Sequence, residues 1–353
     1  MSKALGFRYY TESDQYRITG SLNCYDYAIA TGIKSKYGND INIYSIMAND
    51  ITAYVRVNES SHIEFFGMNY VANPHIKVTT FGENGDASLK IIEKLLDDNK
   101  IVIINTLHHE LKFLIYYGTP YDTSNGMPFH FLSIVHHDDK HLYYVEAPFL
   151  LNKEYYVHCN NNETVGMVEK NYLMPIFSRY LICKAVDIDF NNLQLFDNHL
   201  IQLMRQIVES SNTNVKINDK KYYVGISAIE KLIHACSNDN FECHIEDEAF
   251  IFSTQRVFSM RIFMKECLIK FAEQKQFAQE KEIFDVFEPS IETWINIYNI
   301  FQKRQFKGQV LLTPDMIPFY EQAIKQEKEI IEFISEILEH STMKQGLSQT
   351  YQR

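Results

Sequence analysis

The chain has 353 residues, of which 46% are hydrophobic and 22% charged, and a net charge of −11. That length supports two domains, each burying its own core, while only 13 Gly and 8 Pro exclude a collagen-like or long low-complexity architecture. The acidic balance excludes general nucleic-acid binding, which needs a basic surface to displace counterions, and no run of about 18 apolar residues is available to span a bilayer.

The opening stretch, MSKALGFRYYTESDQ, has no apolar segment of the kind a secretory signal carries. Cys24, Cys159, Cys183, Cys236, Cys243 and Cys267 show no paired spacing. Without a secretion signal they read as reduced thiols, which predicts a cytoplasmic protein.

In chain order, Ser21 or Asn23 is placed to cap a helix from Cys24 to Lys36, ended by Gly38. Strand patterns follow at Ile51–Val57, His62–Met68 and Ile76–Thr80, then a turn at Gly82–Asp86 and a helix over Ala87–Leu96. A series of β-rich runs covers Ile101–Ile104, Leu111–Tyr117, Phe129–Val135, Leu142–Val145, Tyr155–Val157 and Tyr180–Ala185. Gly118–Pro128, between two of them, is a polar, turn-rich loop of the sort that rims active sites. One helix followed by a meander of strands is an α+β pattern.

From about Leu193 the period changes to 3.6. Helices are predicted over Leu193–Ser210, Gly225–Ser237, Asp247–Gln274, Ile291–Arg304 and Met316–His340, which together read as an all-α bundle. The expected layout is an α+β domain at 1–185, a helical domain at 190–345 and a flexible polar tail at 346–353.

Cys24 opens the first helix, where the positive end of the helix dipole favours a thiolate. Taken alone, a cysteine there is more often a small buried hydrophobe. His130 opens the apolar strand HFLSIV, and the following strand ends in Val145-Glu146-Ala147-Pro148. If the two strands are antiparallel neighbours, the start of one lies beside the end of the other. His130 then meets Glu146, the acid orienting the imidazole for work on a thiol. Asp138 is the substitute acid, although it falls in the turn at the far end of the strand.

His108-His109-Glu110 and His136-His137-Asp138 invite a metal reading, but adjacent residues on a strand face opposite ways. No HExxH or CxxC pair is present, and no metal is expected. No glycine-rich phosphate or dinucleotide loop occurs either, so no bound cofactor is expected. His108, His109, Tyr116 and Tyr117 are candidates for lining a substrate pocket, against the plainer reading that they pack in a core or rim.

These residues carry a resemblance. A helix-borne cysteine, then a histidine opening an apolar strand, a short turn, another strand and an acid near a proline is similar to the C39-like branch of papain-like cysteine peptidases. More narrowly, GSLNCYDYAIATGI around Cys24, the stretch Val102–Tyr117 leading to His130, and GISAIEKLIHAC at Gly225–Cys236 resemble the butirosin-H-type acyltransferases. The first two stretches lie within 1–185; the third is short and less specific.

The resemblance implies a papain-like domain joined to a helical one, with Cys24, His130 and Glu146 as catalytic residues. It also implies an acyl group carried on the phosphopantetheine thiol of a carrier protein, passed through acyl-Cys24 to a small-molecule amine in specialised-metabolite biosynthesis. Two departures are visible. Ile18 stands where papain-like enzymes carry an oxyanion-hole glutamine, leaving Gln15 or Asn23 with the Cys24 backbone N–H for that role. Glu146, followed by Ala147, replaces the usual Asp-Pro.

An acidic carrier protein needs a local basic surface, for which Lys34 with Lys36, or Lys303, Arg304 and Lys307, are the candidates. Two other readings stay open at this level: a cysteine hydrolase (peptidase or thioesterase) of the same fold, and a binding protein that has lost catalysis.

Overall fold

The structure, a computed structural model, describes residues 24–38, 46–49, 51–57, 63–66, 76–82, 87–114, 117–118, 129–146, 156–159, 163–188, 193–211, 213–217, 220–237, 247–275 and 280–350. It is mixed α and β, as the α+β expectation required. The chain divides into two compact units, Met1–Met47 with Pro74–Asn191, and Ala48–Asn73 with Asn192–Arg353.

The first unit is built on a seven-stranded antiparallel sheet. Its strands in spatial order are β3 (Ile76–Phe81), β9 (Ile182–Ile188), β4 (Ile101–Leu107), β5 (Phe129–His137), β6 (His141–Val145), β8 (Glu163–Glu169) and β7 (Tyr156–Cys159). Helix α1 (Cys24–Tyr37) lies against β5 and β4. Every residue from Asp26 to Ser35 is buried, as expected of a helix without a strong polar face.

Gly32 is required at this contact. A Cβ there would stand 2.5 Å from Ile101 Cγ2 and 2.9 Å from Ser133 Oγ, so only hydrogen lets the helix approach the sheet. Helices α2 (Leu89–Asp97) and α3 (Lys170–Phe177) contribute Ile92, Leu95, Leu173 and Ile176 to a core with Val102, Ile104, Leu132, Ile134 and Tyr144. Ser88 caps α2 through its side chain.

Over the described residues 111–114 and 117 the predicted strand is not formed. A 3₁₀ turn at His108–Glu110 is followed by turn hydrogen bonds Leu114 N–H to Leu111 C=O (2.9 Å) and Tyr117 N–H to Leu114 C=O (3.1 Å). Leu111, Phe113 and Leu114 are buried all the same, so the apolar spacing reports core anchoring in a turn. Strand β8 and helix α3, which carries Pro175 internally, were not expected. Gly166 in β8 is likewise required, because the Tyr144 ring occupies the space its Cβ would fill, 1.9 Å from Tyr144 Cζ.

The second unit corrects two expectations. It is not all-α: a four-stranded sheet runs in the order β10 (Asn214–Ile217), β11 (Lys220–Val224), β1 (Tyr54–Val57) and β2 (Ile63–Phe66). Nor does the first domain run unbroken from 1 to 185, since β1 pairs with β11 and carries residues 48–73 into the second unit. The reason is local. Ala53 and Val55 bury in one cluster with Ala228, Ile229 and Leu232 of the helix that follows β11.

That helix is α5 (Ile226–Ser237), preceded by α4 (Leu193–Ser210) and followed by α6 (Asp247–Lys275), α7 (Glu280–Phe306) and α8 (Ile317–Thr350). Helix α7 begins well before the predicted Ile291 and carries Pro289 internally. Helix α8 continues to Thr350, so residues 346–350 are helical where a flexible tail was expected. Among the described residues no helix is long and apolar enough to cross a membrane.

Candidate active site

Cys24 is the first residue of α1, in the turn whose N–H groups have no partner within the helix, and is partly exposed. His130 is the second residue of β5, held opposite Thr106 of β4. Their chain neighbours fix the approach of one to the other. The Tyr25 ring meets Phe131 edge-on, with centroids 4.8 Å apart, and the Lys184 ammonium lies 4.5 Å from the Tyr25 ring centre. On the other side of His130, Phe129 stacks on Tyr180 at 4.1 Å. Thr106 Oγ1 donates to the Tyr180 carbonyl at 3.0 Å.

Glu146 follows β6 directly. The antiparallel register pairs Ser133 with Val145, and continuing it by one residue sets Glu146 beside Leu132, diagonal to His130. The Glu146 carboxylate takes a hydrogen bond from His130 Nε2. Both groups are buried, at 7% exposure for His130 and 1% for Glu146. Holding Nε2–H on Glu146 leaves Nδ1 as the ring nitrogen available to the Cys24 thiol, which also hydrogen-bonds His130.

The electrostatics follow from that chain of contacts. Burial by itself pushes the imidazole toward neutrality. It is outweighed by the Glu146 charge, the hydrogen bonds with Cys24 and Glu146 and the charge of Cys24, which together raise the His130 pKa from 6.5 to about 10. The imidazolium is therefore the resident form at neutral pH.

Two buried phenols that sequence reasoning did not assign to the site feel the charge of the acid. Burial first, and then the Glu146 charge, raise both Tyr27 and Tyr144 above the ordinary tyrosine value, so both stay protonated. Tyr27 lies one helical turn beyond Cys24, and that i, i+3 spacing was readable. Tyr144 stacks on Phe113 at 4.2 Å, a contact no sequence pattern announces.

The other predicted residues scatter. Asp138 is not the partner of His130. It sits in the β5–β6 turn, where its carboxylate accepts from Lys140 N–H and His141 N–H, each at 2.7 Å, and from Tyr143 Oη at 2.8 Å. Burial pushes the Asp138 pKa up, but the Lys140 N–H, the Tyr143 hydroxyl and the His141 donors together outweigh it and hold the carboxyl well below the usual carboxylate range.

His108 and His109 stand half-buried in the 3₁₀ turn after β4, with ring centroids 5.9 Å apart. The turn follows Leu107, which pairs with Phe129 next to His130. Tyr117 is 51% exposed and so does not wall a closed acyl pocket. Gln15, Asn23 and Tyr116 lie outside the described residues.

Of the proposed carrier contacts, Lys34 is buried, Lys36 donates to the Asn99 carbonyl, and Arg304 is engaged by Asp315 at 2.6 Å. Lys303 and Lys307 remain exposed. Among the described residues no group of three or more His, Cys, Asp or Glu side chains is arranged to hold a metal ion.

A partly exposed thiol at a helix start, a buried imidazolium and a buried carboxylate in one hydrogen-bonded line can carry nucleophilic catalysis with proton transfer at the imidazole. Compared with known proteins, the chain matches no protein-family model and no curated protein.

Proposed function

We propose that this protein is a cysteine-dependent acyltransferase with a papain-like first domain, in which Cys24 is the nucleophile, His130 the acid and base, and Glu146 the residue that orients it. The observation that carries the reading is the continuous line Cys24–His130–Glu146, with the carboxylate buried behind the imidazole. A purely structural histidine needs neither a thiol on its outer nitrogen nor a buried acid on its inner one.

In the proposed reaction the Cys24 thiolate attacks a thioester carbonyl, and the first-turn N–H groups of α1 face the developing oxyanion. Collapse breaks the bond to the departing thiol, which leaves with the proton of the His130 imidazolium. The exchange of one thioester for another is nearly isoenergetic, so the acyl group is held on Cys24 without loss of reactivity. An amine then attacks acyl-Cys24, giving its proton to His130, and the amide departs as the thiolate–imidazolium pair is restored. The donor is taken to be an acyl group on the phosphopantetheine of a carrier protein and the acceptor a small amine, in specialised-metabolite biosynthesis in the cytoplasm, with no bound cofactor.

The test is intact-protein mass spectrometry after mixing with acyl-pantetheine thioesters. The expected result is an acyl adduct on the wild type and none on Cys24→Ala, draining to amide when amines are added. Draining to the free acid at the same rate with and without amine would make the protein a hydrolase. If Cys24 gained no adduct and reacted with iodoacetamide no faster than the other thiols, nucleophilic catalysis would be ruled out.

A further inference from the structure

The two most exposed apolar residues stand together. Among the described residues Phe306 is 94% exposed and Val310 62%, ahead of every other large hydrophobic side chain. Both lie where α7 ends. A single exposed hydrophobe is ordinary on a protein surface. A phenylalanine that buries almost none of its ring, with a second apolar side chain on the same turn, marks a contact surface.

The turn is held in place. Gly308 N–H bonds to Gln305 C=O and Gln309 N–H to Arg304 C=O, each at 2.9 Å, which closes the helix in a Schellman turn. Arg304 then reaches across to Leu311 C=O at 2.5 Å and to Asp315 at 2.6 Å. Leu311 and Leu312 are buried and anchor the returning chain. Phe306 and Val310 are therefore displayed from a fixed backbone, and docking through them costs little ordering.

Charge and size identify the partner. From Thr293 to Pro314 the sequence has no Asp or Glu, although the net charge of the chain is −11. Lys303 and Lys307 are exposed and, among the described residues, form no ion pair. Asp315, the next acid along the chain, is neutralised by Arg304. Surface fields are screened within about 8 Å at physiological ionic strength, so an approaching surface meets the lysines of this turn before the net charge. A stable protein–protein interface takes about 20–30 residues a side, and residues 303–310 fall far short of that. An anionic lipid surface needs no matching pocket: it takes lysines at its phosphates and an aromatic ring at the headgroup–acyl boundary.

We propose that the turn ending α7, residues 303–310, docks this protein reversibly on an anionic lipid surface, with Phe306 and Val310 entering the interface and Lys303 and Lys307 at the lipid phosphates. The proposal is independent of the chemistry assigned to Cys24.

Co-sedimentation of the full chain with vesicles tests this, using phosphatidylcholine alone against equal parts phosphatidylcholine and phosphatidylglycerol. At low salt the anionic vesicles should bind on the order of tenfold more tightly, since each lysine near such a surface adds about fivefold. High salt should remove the difference. Lys303→Glu with Lys307→Glu should abolish the preference, and Phe306→Ser should weaken binding several-fold. Lys325→Glu with Lys328→Glu, exposed on α8, should leave binding within about twofold. The single tryptophan, Trp294, is fully buried, so in Phe306→Trp the added indole reports on the turn, and its emission should shift to the blue on anionic vesicles. Unchanged melting temperatures would show that the variants fold.

No preference for anionic vesicles, or binding indifferent to both Phe306→Ser and the paired lysine change, would overturn the proposal. Failure on vesicles, with self-association in sedimentation equilibrium that Phe306→Ser abolishes, would assign the turn to a second copy of the chain. Failure on vesicles, with binding to polyglutamate that the same variants lose, would assign it to an acidic protein.

Discussion

The two ends of β5 carry the same chemical pair, a histidine against a carboxylate, in opposite surroundings. At the Phe129 end, His130 and Glu146 are buried together, and water screens their charges less than it does at the surface. At the His137 end, His137 meets Asp97 and His141 meets Asp138, with the two aspartate side chains 70% and 42% exposed. Water screens those pairs, and such contacts contribute little. Proximity of a histidine and an acid thus recurs at both ends of the β5–β6 hairpin. Burial, together with a thiol on the open nitrogen, sets one pair apart.

The largest effect expected from breaking that contrast is at the proposed nucleophile, Cys24. Cys24→Ala should lower turnover of an acyl thioester on the order of 10⁴-fold or more while leaving the circular dichroism spectrum unchanged. Retained turnover would remove Cys24 from the mechanism.

Next comes the buried acid. Glu146→Gln should lower kcat about 10²–10⁴-fold. It should also move the alkaline limb of the pH–rate profile downward, because the Glu146 charge is the leading cause that raises His130. A smaller activity loss with an unmoved limb would mean that the carboxylate only fills space.

The mirror-image change at the exposed end should be far milder. Asp138→Ala removes acceptors for Lys140 N–H, His141 N–H and Tyr143 Oη, costing about 1 kcal/mol of stability and less than about tenfold in activity. If Asp138→Ala proved more damaging to turnover than Glu146→Ala, the two acids would have to exchange roles.

The smallest effect is a slope. The folded-state pKa of His130 is raised from 6.5 to about 10, so its contribution to stability is fully present below about pH 6.5 and is lost as pH rises through about 10. The urea midpoint should fall across that window, and Glu146→Gln should flatten the fall. A wild-type midpoint constant from pH 6 to 10 would contradict the buried imidazolium.

Much of this was legible in the residues. The Cys24 helix, β5 with His130 near its start, β6 ending before Glu146, and the helix Leu193–Ser210 are all local patterns, set by capping, alternation and the 3.6 period. The helical reading of Asp247–Gln274 held for the same reason. Pairing His130 with Glu146 needed only the assumption that consecutive strands are neighbours, which is the commonest connection. Where local pattern and tertiary context disagreed, context decided. Leu111 and Phe113 alternate with Lys112 like a strand, yet together with Leu114 they plug a core from a turn.

What the sequence determined by itself was the α+β class, the candidate nucleophile and base, and the acid's place at the end of the next strand, since each depends on residues close in the chain or on one hairpin. Only the tertiary structure decided that β1 and β2 join a sheet with β10 and β11, because pairing across more than 150 residues leaves no local trace. It also set Glu146, and not Asp138, against His130. Burial is a property of everything that packs around a residue: α1, β4 and β6 close over His130, while the β5–β6 turn keeps Asp138 at the surface.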